Sequence, residues 1–179
     1  MIKDDSLDSE ILKNYRPVSN LPFLEKLTER IVLKRLNNHM THNNHHIPNQ
    51  FGYKKSHSTE SLLVRIVNDI LIATDKNSAT ILLLLDLSAA FDTVDHIKLL
   101  SVLRNELGIC GSAYAWFKSY ICGRTQQVKI GDDYSADVLI EFGVPQGSVL
   151  GPILFNIYIR SLYKHIKDTG FNVEGFADG

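Results

Sequence analysis

ILLLLDLSAAFDTVD, residues Ile81–Asp95, is the stretch on which the predicted fold depends. It opens with five apolar residues in a row, Ile81–Leu85, and the carboxylate of Asp86 follows at once. A short, wholly apolar run is typical of a strand buried on both faces, although its periodicity leaves a buried helix segment open as the alternative. Because burial disfavours a charged carboxylate, we expect a cation near Asp86.

The composition is that of an ordinary globular domain. The chain has 179 residues, 44% of them hydrophobic and 22% charged, which is enough for one domain with a core. No apolar stretch approaches the roughly 18 residues of a membrane span, and the N-terminus has no apolar signal-peptide region. Cys110 and Cys122 lack metal-site or disulfide-framework spacing, so we expect reduced thiols in an intracellular protein that is not secreted.

Hydrophobic spacing and turn residues predict an α+β fold. The predicted helices cover about 23–40, 60–74, 112–121 and 153–167, with a further helix from the cap Asp95 to a stop at Gly108. Two strands, about 125–130 and 135–142, are joined by a hairpin turn at Gly131–Asp133, and a last strand at about 171–175 enters a tight turn. The apolar positions at helical spacing include Leu24, Leu27, Ile31, Leu36, Leu63, Val67, Leu71, Ile97, Leu103, Leu154 and Leu162. Residues 1–13 are predicted to be disordered.

Three other patterns have ordinary explanations that we prefer. A histidine-rich segment lacks the accompanying Cys or acidic residues of a metal site (His39, His42, His45, His46). Basic residues on the first helix are typical of a solvated face, with phosphate contact as the alternative (Lys26, Arg30, Lys34, Arg35). An aromatic stripe indicates core packing, with base stacking as the alternative (Trp116, Phe117, Tyr120).

A metal site is one hypothesis for the two acidic segments, Asp86 and the final GFADG with Asp178. Two carboxylates side by side repel unless divalent cations lie between them, and Mg²⁺ prefers oxygen ligands. Two such ions, about 3.5–4 Å apart, would activate an attacking 3′-hydroxyl and stabilise a leaving pyrophosphate. Lys54 would then meet triphosphate charge, and the glycine-rich loop Gly143–Gly151 would admit a nucleotide or template. Structural caps, ion pairs and an ordinary connection are the alternatives that spacing leaves open.

Seven motifs occur in a characteristic order: NYRPVSNLP, LEKLTERIVLKRL, NQFGYKKSHST, LLLDLSAAFDTVDH, WFKSYICGRTQQV, GVPQGSVLGPILFNIYI and FADG. Together they resemble the reverse transcriptase domain of non-LTR (LINE-like) retrotransposons over Asn14–Gly179. The resemblance implies a fragment of the polymerase right hand, with fingers at about 14–78, palm at about 79–179, and no thumb. It also implies an antiparallel palm sheet packed on helices, in a domain incomplete at its C-terminus.

The resemblance assigns catalytic metal ligands to Asp86 and Asp178, with Mg²⁺ as the cofactor of a two-metal site. The family turn ends in two aspartates, whereas here Gly179 follows Asp178. One fewer carboxylate would then hold and neutralise the ions, so the site is predicted to be incomplete.

The resemblance also assigns nucleotide-binding residues. Phe91 matches the bulky residue beneath the incoming sugar that excludes a 2′-hydroxyl, and Gln146 and Gly147 match the loop against nucleotide and template. Lys54 stands where the family usually has arginine, so the charge is kept and the two-pronged phosphate contact is lost. Asp92 and Asp95 are interpreted as structural, one as a brace and one as a cap.

The function implied is RNA-directed DNA polymerisation on an RNA template with a DNA primer and dNTPs, without a membrane. Gly179 and the missing thumb predict that the chain itself is inactive. The alternative is a non-catalytic remnant, or a domain reused to bind nucleic acid or protein. A net charge of −1 argues against tight nucleic acid binding, less so if basic segments lie outside a fragment. A plain α+β structural protein is disfavoured by the order of the motifs.

Overall fold

Five helices and four short strands make up the computed structural model within the residues that it describes, which are Asp8, Ile11, Tyr15 and the ranges 18–54, 56–87 and 89–177. The helices are α1 (Phe23–His42), α2 (Thr59–Asp75), α3 (His96–Asn105), α4 (Gly111–Ile121) and α5 (Gly151–Asp168). The strands are β1 (Arg124–Gln126), β2 (Lys129–Ile130), β3 (Asp133–Tyr134) and β4 (Val138–Ile140). This mixture of elements agrees with the predicted α+β class.

Two helices begin at side-chain caps, and the cap of α3 is the Asp95 that the sequence predicts. At the start of α2, the Ser58 hydroxyl accepts a hydrogen bond from the Ser61 amide at 3.3 Å, and the Ser61 hydroxyl accepts one from the Ser58 amide at 2.9 Å. At the start of α3, the Asp95 carboxylate accepts a hydrogen bond from the Lys98 amide at 2.9 Å. Each cap satisfies backbone donors that the first helical turn leaves without a partner.

The hydrophobic core lies where α3 packs against α4 and α5. Leu103 of α3 and Leu154 of α5 are wholly buried, as the helical spacing predicts, and Leu99 of α3, which that prediction did not include, is wholly buried as well. Ile97 and Leu162, which share that spacing, are exposed instead, so their inward assignment is wrong. The buried stripe of a short helix is narrower than the full set of its apolar residues, and apolar residues beside the stripe stay in solvent.

The predicted strand at Ile81–Leu85 is wrong. These five residues have no regular secondary structure, and their relative exposure runs from 54% to 94%. A strand needs neighbours for its backbone groups, and no backbone hydrogen bond between described residues involves 79–87. Among the described residues the strands pair only as β1 with β4 and β2 with β3, so no palm sheet packed on helices is present there.

The apolar faces of α1 and α2 are also largely exposed. Leu24, Leu27 and Ile31 of α1 face solvent, whereas Leu36 of the same predicted stripe is buried, together with Glu29 and Met40. No residue of α2 is buried, although its apolar stripe correctly predicts a helix. The spacing of a stripe identifies a helix and its apolar face, but burial needs a second element, and the described residues cover these two faces only in part.

The hairpin after α4 agrees with the prediction, although each strand is divided into two short pieces. In antiparallel register, β1 pairs with β4 and β2 pairs with β3, and the chain turns at Gly131, whose φ is +62°. The strand predicted near residues 171–175 is reduced to one parallel bridge, between Gln50 and Gly175. That bridge joins the segment before α2 to the segment after α5.

Candidate functional site

Asp86 lies at the mouth of a cavity of about 640 Å³ between α3 and α5. Its carboxylate is exposed, and Lys98 and Phe155 line the same cavity. A cation was expected near Asp86 because its strand was predicted to be buried, and that burial is absent; Lys98 is a cation that lines the same cavity. However, the ion pairs between described residues do not include Asp86, so the two charges share a cavity without direct contact.

Phe91 is held in a turn by two aromatic neighbours. Its ring lies 5.1 Å from the Phe155 ring at an interplanar angle of 31°, and 6.1 Å from the Tyr53 ring, nearly edge-on at 83°. The turn is closed by the Asp92 amide, which donates to the Ala89 carbonyl at 2.9 Å. Edge-on and offset contacts of this kind restrict the motion of an aromatic ring, so the half-buried side chain of Phe91 is held in one orientation.

The glycine-rich loop lies directly on the backbone of this turn. The Gly143 amide donates to the Val94 carbonyl and the Val144 amide donates to the Phe91 carbonyl, both at 2.8 Å. Gly143 has a φ of +90°, and a β-carbon on it would lie 3.0 Å from the Asp92 carbonyl oxygen. Only glycine combines this conformation with so close an approach of two backbones.

Gln146 and Gly147 are brought to the same turn. The Gln146 side-chain amide donates to the Asp92 carboxylate, and its backbone carbonyl accepts from the Ser19 amide at 2.9 Å. Gly147, with a φ of +90°, packs beside Val18. The structure therefore brings together Phe91, Gln146 and Gly147, which the sequence assigned to nucleotide binding.

Lys54 belongs to a segment that docks on residues 173–177. The Phe51 amide donates to the Gly175 carbonyl at 2.8 Å, and the Gly175 amide donates to the Asn49 carbonyl at 2.9 Å. The side-chain amide of Gln50 donates to the Ala177 carbonyl at 3.1 Å. Lys54 is half-buried at the end of this segment, and it has no hydrogen bond or ion pair with Asp86. Asp178 and Gly179 lie outside the described residues, so their predicted place in the site stays a prediction.

Gly52 permits the docking of these two segments. A β-carbon on Gly52 would lie 2.0 Å from the Ala177 amide nitrogen, which is backbone and has little freedom to move aside. We expect Gly52→Ala to lower the free energy of unfolding by about 1–3 kcal/mol, because residues 176–177 must separate from residues 50–52. Urea denaturation measures the loss.

Ser56→Ala is the control for that substitution, because Ser56 lies in the same segment and is exposed. It is expected to change the stability by less than about 0.5 kcal/mol. Equal effects of the two substitutions would show that the space at Gly52 is unimportant.

Glu174 is a charged side chain in the contact between residues 49–54 and residues 173–177. Its side chain is 10% exposed and pairs with the Arg65 guanidinium at 2.9 Å. Burial, together with the nearby Asp69 charge, raises the pKa of Glu174 against the opposite effect of Arg65. A raised folded pKa means that the stability contributed by protonated Glu174 is complete below its unfolded pKa and is lost as pH rises through the folded value. Mild acid therefore favours the docked arrangement.

Glu29 was not identified from the sequence as part of the site. It is wholly buried in α1, where its carboxylate accepts hydrogen bonds from the Tyr120 hydroxyl at 2.5 Å and the Val149 amide at 2.6 Å. Burial, and then the bond to Glu29, raise the pKa of Tyr120. The helical spacing from Glu29 to Leu36 and Met40 could have identified Glu29, because it places this carboxylate on the same face of the helix as two apolar residues.

Asp86 fits Mg²⁺ as a single oxygen ligand. It is a hard carboxylate donor, and its exposure leaves room for the waters that Mg²⁺ keeps. Within the ranges that the structure describes, no three His, Cys, Asp or Glu side chains form a cluster that would hold a metal ion. The described residues therefore supply one candidate ligand, and Asp178 is the other candidate.

Comparison with known proteins identifies the family. Residues 2–179 match the family model described as reverse transcriptase (RNA-dependent DNA polymerase). This chain belongs to the reverse transcriptase family. The match covers every motif that carried the resemblance in the sequence.

Relatives of this reverse transcriptase chain include proteins of mobile elements. It is 35% identical over 162 residues to a probable RNA-directed DNA polymerase from transposon BS of Drosophila melanogaster, covering 90% of this chain and 18% of that protein. It is 37% identical over 160 residues to the RNA-directed DNA polymerase from mobile element jockey of Drosophila funebris, covering 88% and 17%. A type-1 retrotransposable element R2 Pol polyprotein of Popillia japonica is 28% identical over 174 residues, covering 93% and 23%.

The chain spans less than a quarter of the length of each of these three relatives. The resemblance to reverse transcriptases of non-LTR retrotransposons is confirmed. Of the helices in the described ranges, none is both long and apolar enough to cross a membrane.

Proposed function

We propose that this chain is part of an RNA-directed DNA polymerase that extends a DNA primer on an RNA template with dNTPs. The observation that carries the proposal is the assembly of Phe91 and the Gln146–Gly147 loop on one turn. A nucleotide whose sugar packs on Phe91 would lie beside that loop. The half-buried ring would oppose a 2′-hydroxyl, which would select deoxynucleotides.

The proposed metal site consists of Asp86 and Asp178. Bound Mg²⁺ would neutralise phosphate charge and support in-line attack by a primer hydroxyl. The side chain of Lys54 would attract the triphosphate as a point charge. Phe91 and the glycine-rich loop would orient the nucleotide. Residue 179 is glycine and adds no carboxylate. We therefore propose that this chain holds Mg²⁺ weakly.

A non-catalytic domain that binds nucleic acid or protein is the second candidate. The observation that favours it is the same glycine at position 179. A polymerase of this type needs its carboxylates to hold the divalent cations, which in turn offset the negative charge of the triphosphate. A binding domain does not.

Gly179→Asp tests the metal proposal without depending on turnover. We expect it to raise the Mg²⁺ affinity, measured by calorimetry, at least about tenfold, because it adds a hard oxygen donor beside Asp178. The matched control is Ser112→Asp, which places the same charge at an exposed position of α4. Equal gains from both substitutions would show a nonspecific charge effect and contradict a site at Asp178.

Incorporation of dTTP on an oligo(dT)-primed poly(rA) template tests the activity. We expect the unchanged chain to incorporate no more than its Asp86→Asn variant does. Incorporation above that background would show that Gly179 is tolerated, and it would exclude the non-catalytic candidate. Absence of Mg²⁺ and dTTP binding in both the unchanged chain and Gly179→Asp would exclude the polymerase proposal.

A further inference from the structure

Asp92 and Gln146 form the side-chain contact that joins the glycine-rich loop to the turn of Phe91. The Gln146 Nε2 atom lies 2.9 Å from each oxygen of the Asp92 carboxylate. Hydrogen bonds to an ionised acceptor are stronger and shorter than neutral ones. This contact is therefore a charge-assisted link between residues 54 positions apart in the chain.

The contact determines which way the amide of Gln146 faces. A side-chain amide has one donor end and one acceptor end, and a carboxylate accepts only from the donor end. With Nε2 on Asp92, Oε1 points away from the carboxylate. Among the hydrogen bonds between described residues, none involves this Oε1. Gln146 is therefore oriented to present a hydrogen-bond acceptor.

The backbone around Gln146 is held separately. Gly143 and Val144 are bonded to the turn, and the Gln146 carbonyl accepts from the Ser19 amide. These bonds place the main chain and leave the side-chain torsions of Gln146 free. The orientation of the amide depends on Asp92.

Helix capping does not account for the position of Asp92. The cap of α3 is Asp95, whose carboxylate accepts from the Lys98 amide. The carboxylate of Asp92 is exposed, and its hydrogen bonds to described residues go to Gln146. A hydrogen bond to an exposed carboxylate adds little to the stability of the fold. The main effect of the Asp92 contact is therefore on the orientation of the Gln146 amide.

We propose that Asp92 is the positioning residue of Gln146, and that it orients the Gln146 amide so that Oε1 accepts a hydrogen bond from a bound nucleotide. This inference rests on the proposed function. Asp92 itself touches no nucleotide and acts only through Gln146. Substituting Asp92 should therefore have no effect where Gln146 has already been removed.

The contact itself is tested by side-chain amide exchange in the 179-residue chain. The Nε2 protons of Gln146 are identified in a ¹H–¹⁵N spectrum by their loss in Gln146→Ala. We expect Asp92→Ala to speed their exchange with water at least about fivefold, and Asp92→Asn, which keeps one acceptor, to fall in between. Asp137→Ala removes an exposed carboxylate elsewhere and is expected to leave the exchange unchanged.

The role in binding is tested by a double-mutant cycle with Mg·dTTP as the probe. We expect Asp92→Ala to raise the dissociation constant of Mg·dTTP about five- to tenfold in the unchanged chain. In the Gln146→Ala background, we expect the same substitution to raise it less than about twofold. Equal losses in both backgrounds would overturn the proposal, because Asp92 would then act on the nucleotide independently of Gln146.

The exchange measurement and the binding measurement distinguish failure of the positioning role from failure of the proposed function. Unchanged exchange in Asp92→Ala overturns the positioning role, whatever the nucleotide result. Faster exchange, together with no binding of Mg·dTTP by either the unchanged chain or Gly179→Asp, overturns the proposed function and the nucleotide role of Asp92 with it. Faster exchange together with a non-additive cycle supports the proposal.

Discussion

Asp86→Asn is expected to lower the Mg²⁺ affinity of the Gly179→Asp chain more than about 100-fold. Loss of a residue that only supports a metal ligand typically costs 10–100-fold in affinity, and Asp86 is proposed to be a ligand itself. An amide has nearly the same shape as a carboxylate but carries no charge. Calorimetric titration with Mg²⁺ measures the change.

The control for Asp86→Asn is Asp75→Asn, which removes the same charge from an exposed position at the end of α2. It is expected to leave the affinity within about twofold, because Asp75 is exposed and does not line the cavity that Asp86 lines, so that salt screens its charge. If Asp86→Asn behaved like Asp75→Asn, the assignment of Asp86 as a metal ligand would be wrong. The family membership of the chain would be unaffected.

Glu29→Ala is expected to lower the free energy of unfolding by about 2–4 kcal/mol. The substitution leaves the Tyr120 hydroxyl and the Val149 amide without their acceptor in a buried place. It also leaves a cavity between α1 and α4. Urea denaturation followed by Trp116 fluorescence measures the loss, because Trp116 packs on Tyr120 with ring centroids 5.1 Å apart.

Two variants make the test of Glu29 specific. Glu25→Ala removes a carboxylate of the same helix that is 4.0 Å from Arg124 at the surface, and it is expected to cost less than about 1 kcal/mol. Glu29→Gln keeps one acceptor oxygen and is expected to lie between the two. A Glu29→Ala chain as stable as Glu25→Ala would show that the buried network does not stabilise the fold.

The helices were predictable because their signals are local. Ser58 and Asp95 cap α2 and α3 through hydrogen bonds to amides three residues ahead, so both ends of each contact lie in one short segment. The hairpin turn at Gly131 is local in the same sense. What covers an apolar face is not local, and for that reason the exposure of Leu24, Ile31 and Ile81–Leu85 was predicted wrongly.

The residues of the candidate site were predicted in part, and the contacts between them were not. The residue types and their order indicated the roles of Phe91, Gln146 and Gly147, and the structure brings these three together. The contact between Asp92 and Gln146 was missed, because nothing in either segment marks a partner 54 residues away. Lys54 and Asp86 are not in contact, and Asp178 lies outside the described residues.

Residue types and their order were enough to indicate the reverse transcriptase family, most helix boundaries and the residues that belong to the motifs. These properties depend on residue identity and on contacts within a few positions. Three contacts became known only from the folded chain: Glu29 joins α1 to Tyr120 and Val149, Gly52 lies against the backbone of Ala177, and Asp92 accepts a hydrogen bond from Gln146. Each of these contacts joins segments far apart in the chain, and its energy comes from burial, shape or charge that exists only once those segments have met.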